Sequence, residues 1–313
     1  METDKLTQSS ILSAMLIILS VILIGTGIGG TLYIDFVVPI VITIIYIRCG
    51  MKWTILASIN TLCVVALGLG RPTTALWMFQ SVLLGILAGY LLKRSSQIMD
   101  DLLTASLCGC FIMLVMDYLL NLLTGISILD DSLNLFEMRS LPEIAEVMYY
   151  LSIAALPIGT MVIVYTCSLF ALKRLNLLSA VTKDKYKVIR NFFKYRPYMY
   201  CTRKMLIIAI GYIILSLFLP VSEIAYIKAL MVTTKYIAFY FVVSDCWAIV
   251  NHWFYIKTKS VIVTTGLLYL LIVGMMHSFK LCLYALVGIG LILDLSSQIR
   301  QQQGVKLYYL LKH

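Results

Sequence analysis

Apolar residues in this chain gather in long unbroken runs, and the polar residues between them gather in short charged clusters. Ten runs can be drawn, at about 10–28, 32–47, 53–69, 74–92, 102–124, 144–172, 205–219, 223–250, 261–276 and 278–295. A helix needs roughly 17 to 25 apolar residues to cross a bilayer, and most of the runs reach that length. Backbone in lipid must satisfy its own hydrogen bonds, and the runs lack the polar/apolar alternation of a barrel strand. The pattern therefore predicts an all-α fold, a polytopic membrane protein with about ten (eight to ten) transmembrane helices.

The second and seventh runs are short, while the sixth and eighth are long enough to tilt or to extend along the interface. Pro39 and Pro157 fall inside runs and predict kinks. The first run has only Lys5 before it and no small-x-small cleavage site, so it reads as a retained helix. The glycines from Gly25 to Gly30 follow a membrane helix rather than a strand, which makes them a turn at the membrane surface.

Charge placement adds an orientation. With the N-terminus inside, every Lys and Arg falls on the cytoplasmic side except Arg71, Arg139, Lys228, Lys235 and Lys280. The outer connection at 125–143 is instead acidic, with Asp130, Asp131 and Glu137 against Arg139. The excess of inner cations predicts that both termini are cytoplasmic. The net charge of +10 is thus largely a topology signal and calls for no nucleic-acid partner. Composition agrees with the pattern: 61% of residues are hydrophobic and 13% charged, against about 25% charged in soluble domains.

The charge also divides the chain. Residues 1–174 form a six-helix membrane domain, 175–204 a basic cytoplasmic connection, and 205–313 a C-terminal helical membrane domain with a short tail. In the connection, Lys183, Lys185, Lys187, Arg190, Lys194 and Arg196 interleave with Tyr186, Phe192, Phe193, Tyr195 and Tyr198. Such a stretch is expected to lie on anionic headgroups of the cytoplasmic leaflet, or to dock a cytoplasmic partner.

Little in the chain suggests catalysis. The eight cysteines lie mostly in apolar runs with no C-x-x-C spacing, and His252, His277 and His313 are scattered, so no metal site is expected. No P-loop, nucleophile elbow or repeat is present, and the expectation is a non-enzyme without cofactors.

Ionisable groups inside a membrane are costly unless paired or hydrated, which makes them the first functional candidates. Asp117 lies in the outer half of the fifth run with Asn121 one turn beyond it on the same face. Asp35 is at the outer mouth of the second run, Arg71 between the third and fourth, Trp77 and Gln80 just below it, and Tyr149 near the outer end of the sixth. Polar groups converging at one depth in an apolar bundle are what a small-ligand pocket requires. The aromatic members also suit an ordinary interfacial belt. Lys235 and Asp245 share the eighth run but sit about 15 Å apart along its axis, so each needs another partner or water.

The layout resembles the YybS-like membrane proteins of Firmicutes. The marks are Tyr46-Ile47-Arg48-Cys49-Gly50-Met51-Lys52, Gly89-Tyr90-Leu91-Leu92-Lys93-Arg94, Leu172-Lys173-Arg174-Leu175, and Gly290-Leu291-Ile292-Leu293-Asp294-Leu295 with Arg300. In that family the first six helices are similar to the S components of energy-coupling-factor transporters. The resemblance implies a bacterial cell membrane, a ligand site in the outer half of helices four to six, and docking of a coupling subunit by small residues on the first helix. Where S components carry Ala-x-x-x-Ala, this chain has Ser9-x-x-x-Ser13 and Ser10-x-x-x-Ala14. The expected function is a transporter-like subunit that binds a small molecule at its outer face, with any ATP-driven step supplied by a membrane partner. The alternative is a membrane scaffold or regulatory protein that recruits partners through its basic connection.

Overall fold

The computed structural model describes residues 2–27, 32–70, 72–125, 127, 129, 142–220, 224–260, 266, 267, 269–271, 273, 274, 279–297, 300, 304 and 307. Arg71, the acidic stretch 130–141 and most of the run at 261–276 lie outside them. Among the described residues the chain is helical throughout, without strands. Six helices among the described residues are long and apolar enough to cross a membrane: Glu2–Gly25, Met51–Gly68, Thr73–Lys93, Ile98–Thr124, Val147–Arg174 and Ala225–Thr258. Leu281–Leu295 is a shorter apolar helix. Large apolar side chains such as Leu67 and Phe218 are at least 80% exposed, which in water would be an association hazard and in lipid is the solvated state. The chain is a multi-pass helical membrane protein.

In chain order the helices are α1 (Glu2–Gly25), α2 (Val38–Cys49), α3 (Met51–Leu69), α4 (Pro72–Lys93), α5 (Ile98–Thr124), α6 (Pro142–Arg174), α7 (Ala180–Arg190), α8 (Phe192–Tyr195), α9 (Arg203–Phe218), α10 (Ala225–Thr258) and α11 (Phe279–Ser297). Two compact units emerge. The first holds 1–96, 104–186 and 220–237; the second holds 97–103, 187–219 and 238–313. One boundary between the units falls at residue 187, inside α7. The units do not follow chain order: α5 and the 34-residue α10 each contribute residues to both.

Small residues govern packing in the first unit. On α1 the buried positions Ser9, Ser13, Leu16, Ser20 and Ile24 recur at helical spacing on one face. Ser13 Oγ lies 2.9 Å from Thr61 Oγ1 and also donates to the Ala57 carbonyl on α3, while Ser20 Oγ meets the Tyr33 hydroxyl at 2.9 Å. The Ser9–Ser13 pair is therefore occupied within the unit, and Ser10 and Ala14 are the exposed pair of the two read as docking residues.

Between α2 and α4 the contact is tighter still. A Cβ added at Gly85 would stand 2.6 Å from the Pro39 carbonyl oxygen, and one at Gly89 would stand 2.7 Å from the Tyr46 ring. Gly85-x-x-x-Gly89 is thus the groove into which α2 fits. Thr43 Oγ1 donates to the Gly85 carbonyl at 2.9 Å across the same contact. Pro39 stands at the second residue of α2, where its missing N–H costs no helical bond. Directly before α2 lies a π turn, Tyr33–Val37, in which the Val38 N–H reaches back to the Tyr33 carbonyl. The turn from α2 to α3 is a single residue, Gly50, at φ +91°.

Candidate functional site

Three helices of the first unit turn a polar-spotted face to one space. On α4 that face is Trp77, Gln80, Ser81 and Leu84, on α5 Cys110, Met113, Leu114, Asp117 and Leu120, and on α6 Ser152, Ile153, Leu156, Pro157 and Thr160. The steps of three and four residues are those of a single helix face. Asp35, in the π turn before α2, and Leu129, beyond α5, complete the wall. The space is a cavity of ≈ 370 Å³. Small-ligand pockets run from about 300 to 1,000 Å³, mostly apolar with a few placed polar groups, and this one fits that description.

Its depth follows from chain direction. Asp35 precedes α2, the α4 face lies in that helix's first half, the α5 face in its second half, and the α6 face in the middle and first half. Successive crossings run in opposite directions, so these stretches share one half of the unit. Arg48, Lys52, Lys93, Arg94, Lys173 and Arg174 mark the helix ends of the other half.

Asp117 is buried and fixed by neighbours. Its Oδ2 accepts from the Ser127 hydroxyl at 3.1 Å, the Tyr226 hydroxyl at 3.2 Å and the Leu129 N–H at 3.4 Å. Tyr226 is in turn held edge-on by Tyr118, with ring centroids 5.2 Å apart. Asp35 is exposed to the space, and no donor or cation among the described residues reaches its carboxylate. The described lining carries two carboxylates, one amide and three hydroxyls on a hydrocarbon wall, with no Lys or Arg.

Of the residues singled out from sequence, Asp117, Asp35, Trp77 and Gln80 line the cavity. Asn121 stands behind Asp117, its amide donating to Tyr226 at 3.4 Å. Tyr149 is also in the supporting layer: its hydroxyl donates to the Leu129 carbonyl at 3.2 Å. Arg71 lies outside the described residues. Ser127, Tyr226, Ser152 and Thr160 were not legible as site residues. The i, i+4, i+8 spacing of Ser152, Leu156 and Thr160 on α6 was the signal available for two of them.

The second unit contains a buried ion cluster. Arg300 Nη2 contacts Asp245 Oδ2 at 2.7 Å and its Nε contacts Asp294 Oδ1 at 3.0 Å. Nη1 donates to the Cys201 carbonyl, the Cys201 N–H donates to Asp245 Oδ1 at 2.6 Å, and the guanidinium lies over the Tyr200 ring. Burial pulls the Arg300 pKa down, but the two carboxylates outweigh it and hold the guanidinium charged. Burial pushes the Cys201 thiol up, so it stays neutral. The partner Asp245 needed is thus Arg300; Lys235 is half-buried on α10 and meets no carboxylate among the described residues. Asp294, at the end of α11, belongs to the same cluster.

One expected surface residue is placed otherwise. Lys185 is buried, not on the lipid surface, and its Nζ donates to the carbonyls of Leu91 at 2.8 Å and Arg94 at 2.6 Å. The last carbonyls of a helix lack i→i+4 partners; here the Leu91 carbonyl also accepts from the Arg94 N–H at 3.2 Å, and the Lys185 ammonium adds to that while complementing the negative helix end. Lys183, Arg190, Lys194 and Arg196 remain exposed, and Lys187 is half-buried.

Comparisons with protein-family models, with curated proteins and with solved structures give no match.

Proposed function

We propose that this protein is a small-molecule-binding, transporter-like membrane subunit, built on an S-component-like first unit whose cavity opens to the outer face of a bacterial cell membrane. The cavity carries the reading: three helix faces converge on it with both carboxylates in place. Its half of the unit is opposite the cation-marked ends, and cations mark the cytoplasmic side. The YybS-like resemblance supports the same location. No nucleotide-binding motif occurs in the chain, so an ATP-driven step belongs to a partner.

Filling the cavity tests this. Ser152→Trp places an indole in the space. Compounds that raise the unfolding temperature of the parent are expected to leave this variant unchanged, since stabilisation tracks occupancy of the folded state. Equal stabilisation of parent and variant would sink the reading. Co-purification of a transport ATPase then decides whether the subunit is energised from outside itself.

A second reading has its own observation. Arg190, Lys194 and Arg196 are exposed and flank the exposed Phe192 and Phe193 in sequence, the latter 87% exposed, and Lys183 is exposed on α7. Cations flanking bare aromatics fit an anionic headgroup layer, or a cytoplasmic partner in the scaffold alternative. Charge reversal at these four positions is expected to strip co-purifying proteins if the scaffold reading holds, and only to weaken binding to anionic vesicles otherwise.

A further inference from the structure

We infer that the cavity takes a small organic cation, an amine or quaternary ammonium carried on an apolar body. The inference rests on the cavity being the ligand site and names the chemistry it selects.

The described lining carries two carboxylates, Asp35 and Asp117, and no Lys or Arg is among the described residues that form it. Asp35 is the open one. No donor among the described residues reaches it, which leaves that carboxylate open to a partner from within the cavity. A ligand ammonium would supply a charge-assisted hydrogen bond or an ion pair there. Asp117 is oriented by Ser127, Tyr226 and the Leu129 N–H, which fixes a second acceptor on the wall. Trp77 lines the same space and offers an aromatic face, the preferred surface for a cation that has lost its water.

The rest of the wall decides between kinds of cation. Calcium-like ions require six to eight oxygen ligands, and sodium or magnesium about six. Here Leu84, Met113, Leu114, Leu120, Ile153 and Pro157 present hydrocarbon instead. Such a wall suits the body of an organic ion. An anion of the same size would meet the open Asp35 carboxylate in a low-dielectric space and be disfavoured.

A charge series on one skeleton tests the inference: phenethylammonium, phenethyl alcohol and phenylacetate, titrated against the purified full chain in nanodiscs and read by thermal unfolding. Phenethylammonium is expected to raise the unfolding temperature, while the alcohol and the acid leave it where it was. Asp35→Asn, at an exposed position, is expected to keep the unliganded unfolding temperature and to weaken phenethylammonium binding by roughly tenfold, the order of one charge-assisted contact. Equal shifts from the three compounds, or the largest from phenylacetate, overturn the inference while leaving the cavity as a ligand site. So does a phenethylammonium shift that Asp35→Asn does not change, or one that sodium chloride alone reproduces. Shifts from none of the three remove the cavity reading with it.

Discussion

Asp117 and Asp245 illustrate two ways of keeping a carboxylate on a membrane helix. Asp117 accepts from two hydroxyls and a backbone N–H, which hold it in place at the wall of a cavity. Asp245 is fully buried and tied to a cation, Arg300, that also binds Asp294. Such a cluster is costly to break from one side, since the abandoned charges stay buried. Arg300→Met is expected to destabilise the protein by about 3–5 kcal/mol, measured by unfolding in detergent. Adding Asp245→Asn to it should recover part of the loss; a simple sum of two losses would show that the residues are not coupled. Lys185→Met is expected to cost about 1.5–3 kcal/mol through the lost charged hydrogen bonds to α4. A neutral result would return Lys185 to the lipid surface where its neighbours' charges suggested it. Neither partnership was legible in the chain: Lys185 is 94 residues from Leu91 and Arg300 is 55 from Asp245, and no local period links them.

At the scale of elements, much was legible. Apolar run length located α3 to α6, α9 and α11 to within about four residues, because crossing a bilayer fixes both length and composition of a helix. By contrast α1 begins well before its run, α2 begins after its run does, and α10 extends well past its run. Counting residues from helix ends also placed Asp35, Trp77, Gln80 and Asp117 at one depth. What counting could not supply was azimuth, since the runs are apolar on every side and leave no polar stripe to show which face looks inward. The short α7 and α8 lie inside the stretch read as a basic connection; α7 carries a clear helical period, but with 11 residues and a polar composition it forms no long apolar run. Close approach was likewise invisible until the glycines had neighbours. Gly85→Val is expected to destabilise by about 1–3 kcal/mol or to prevent folding, because its side chain meets the Pro39 backbone. Gly159→Ala on α6, with nothing within 4 Å of the added Cβ, is expected to be neutral or to stabilise by about 0.5–1 kcal/mol. Thermal unfolding of the two side by side checks the contrast, and a comparable loss at both positions would remove the close α2–α4 contact from the account.

For the whole molecule, the distribution of cations and the site of the cavity make a single statement about sidedness. In the proposed orientation the connection at 94–97, which follows Lys93 and includes Arg94, lies inside, whereas Gln80 lines the cavity in the other half of the unit. Reporter fusions at either terminus are expected to show both inside, and a terminus found outside would invert the orientation. The most direct measurement is labelling of intact cells with a membrane-impermeant thiol reagent, in a Cys110→Ala background that removes the native thiol of the cavity wall. Gln80→Cys is predicted to gain label from outside, and Ser95→Cys to gain it only after permeabilisation. Label at Ser95→Cys but not at Gln80→Cys in intact cells would contradict an outward-opening cavity.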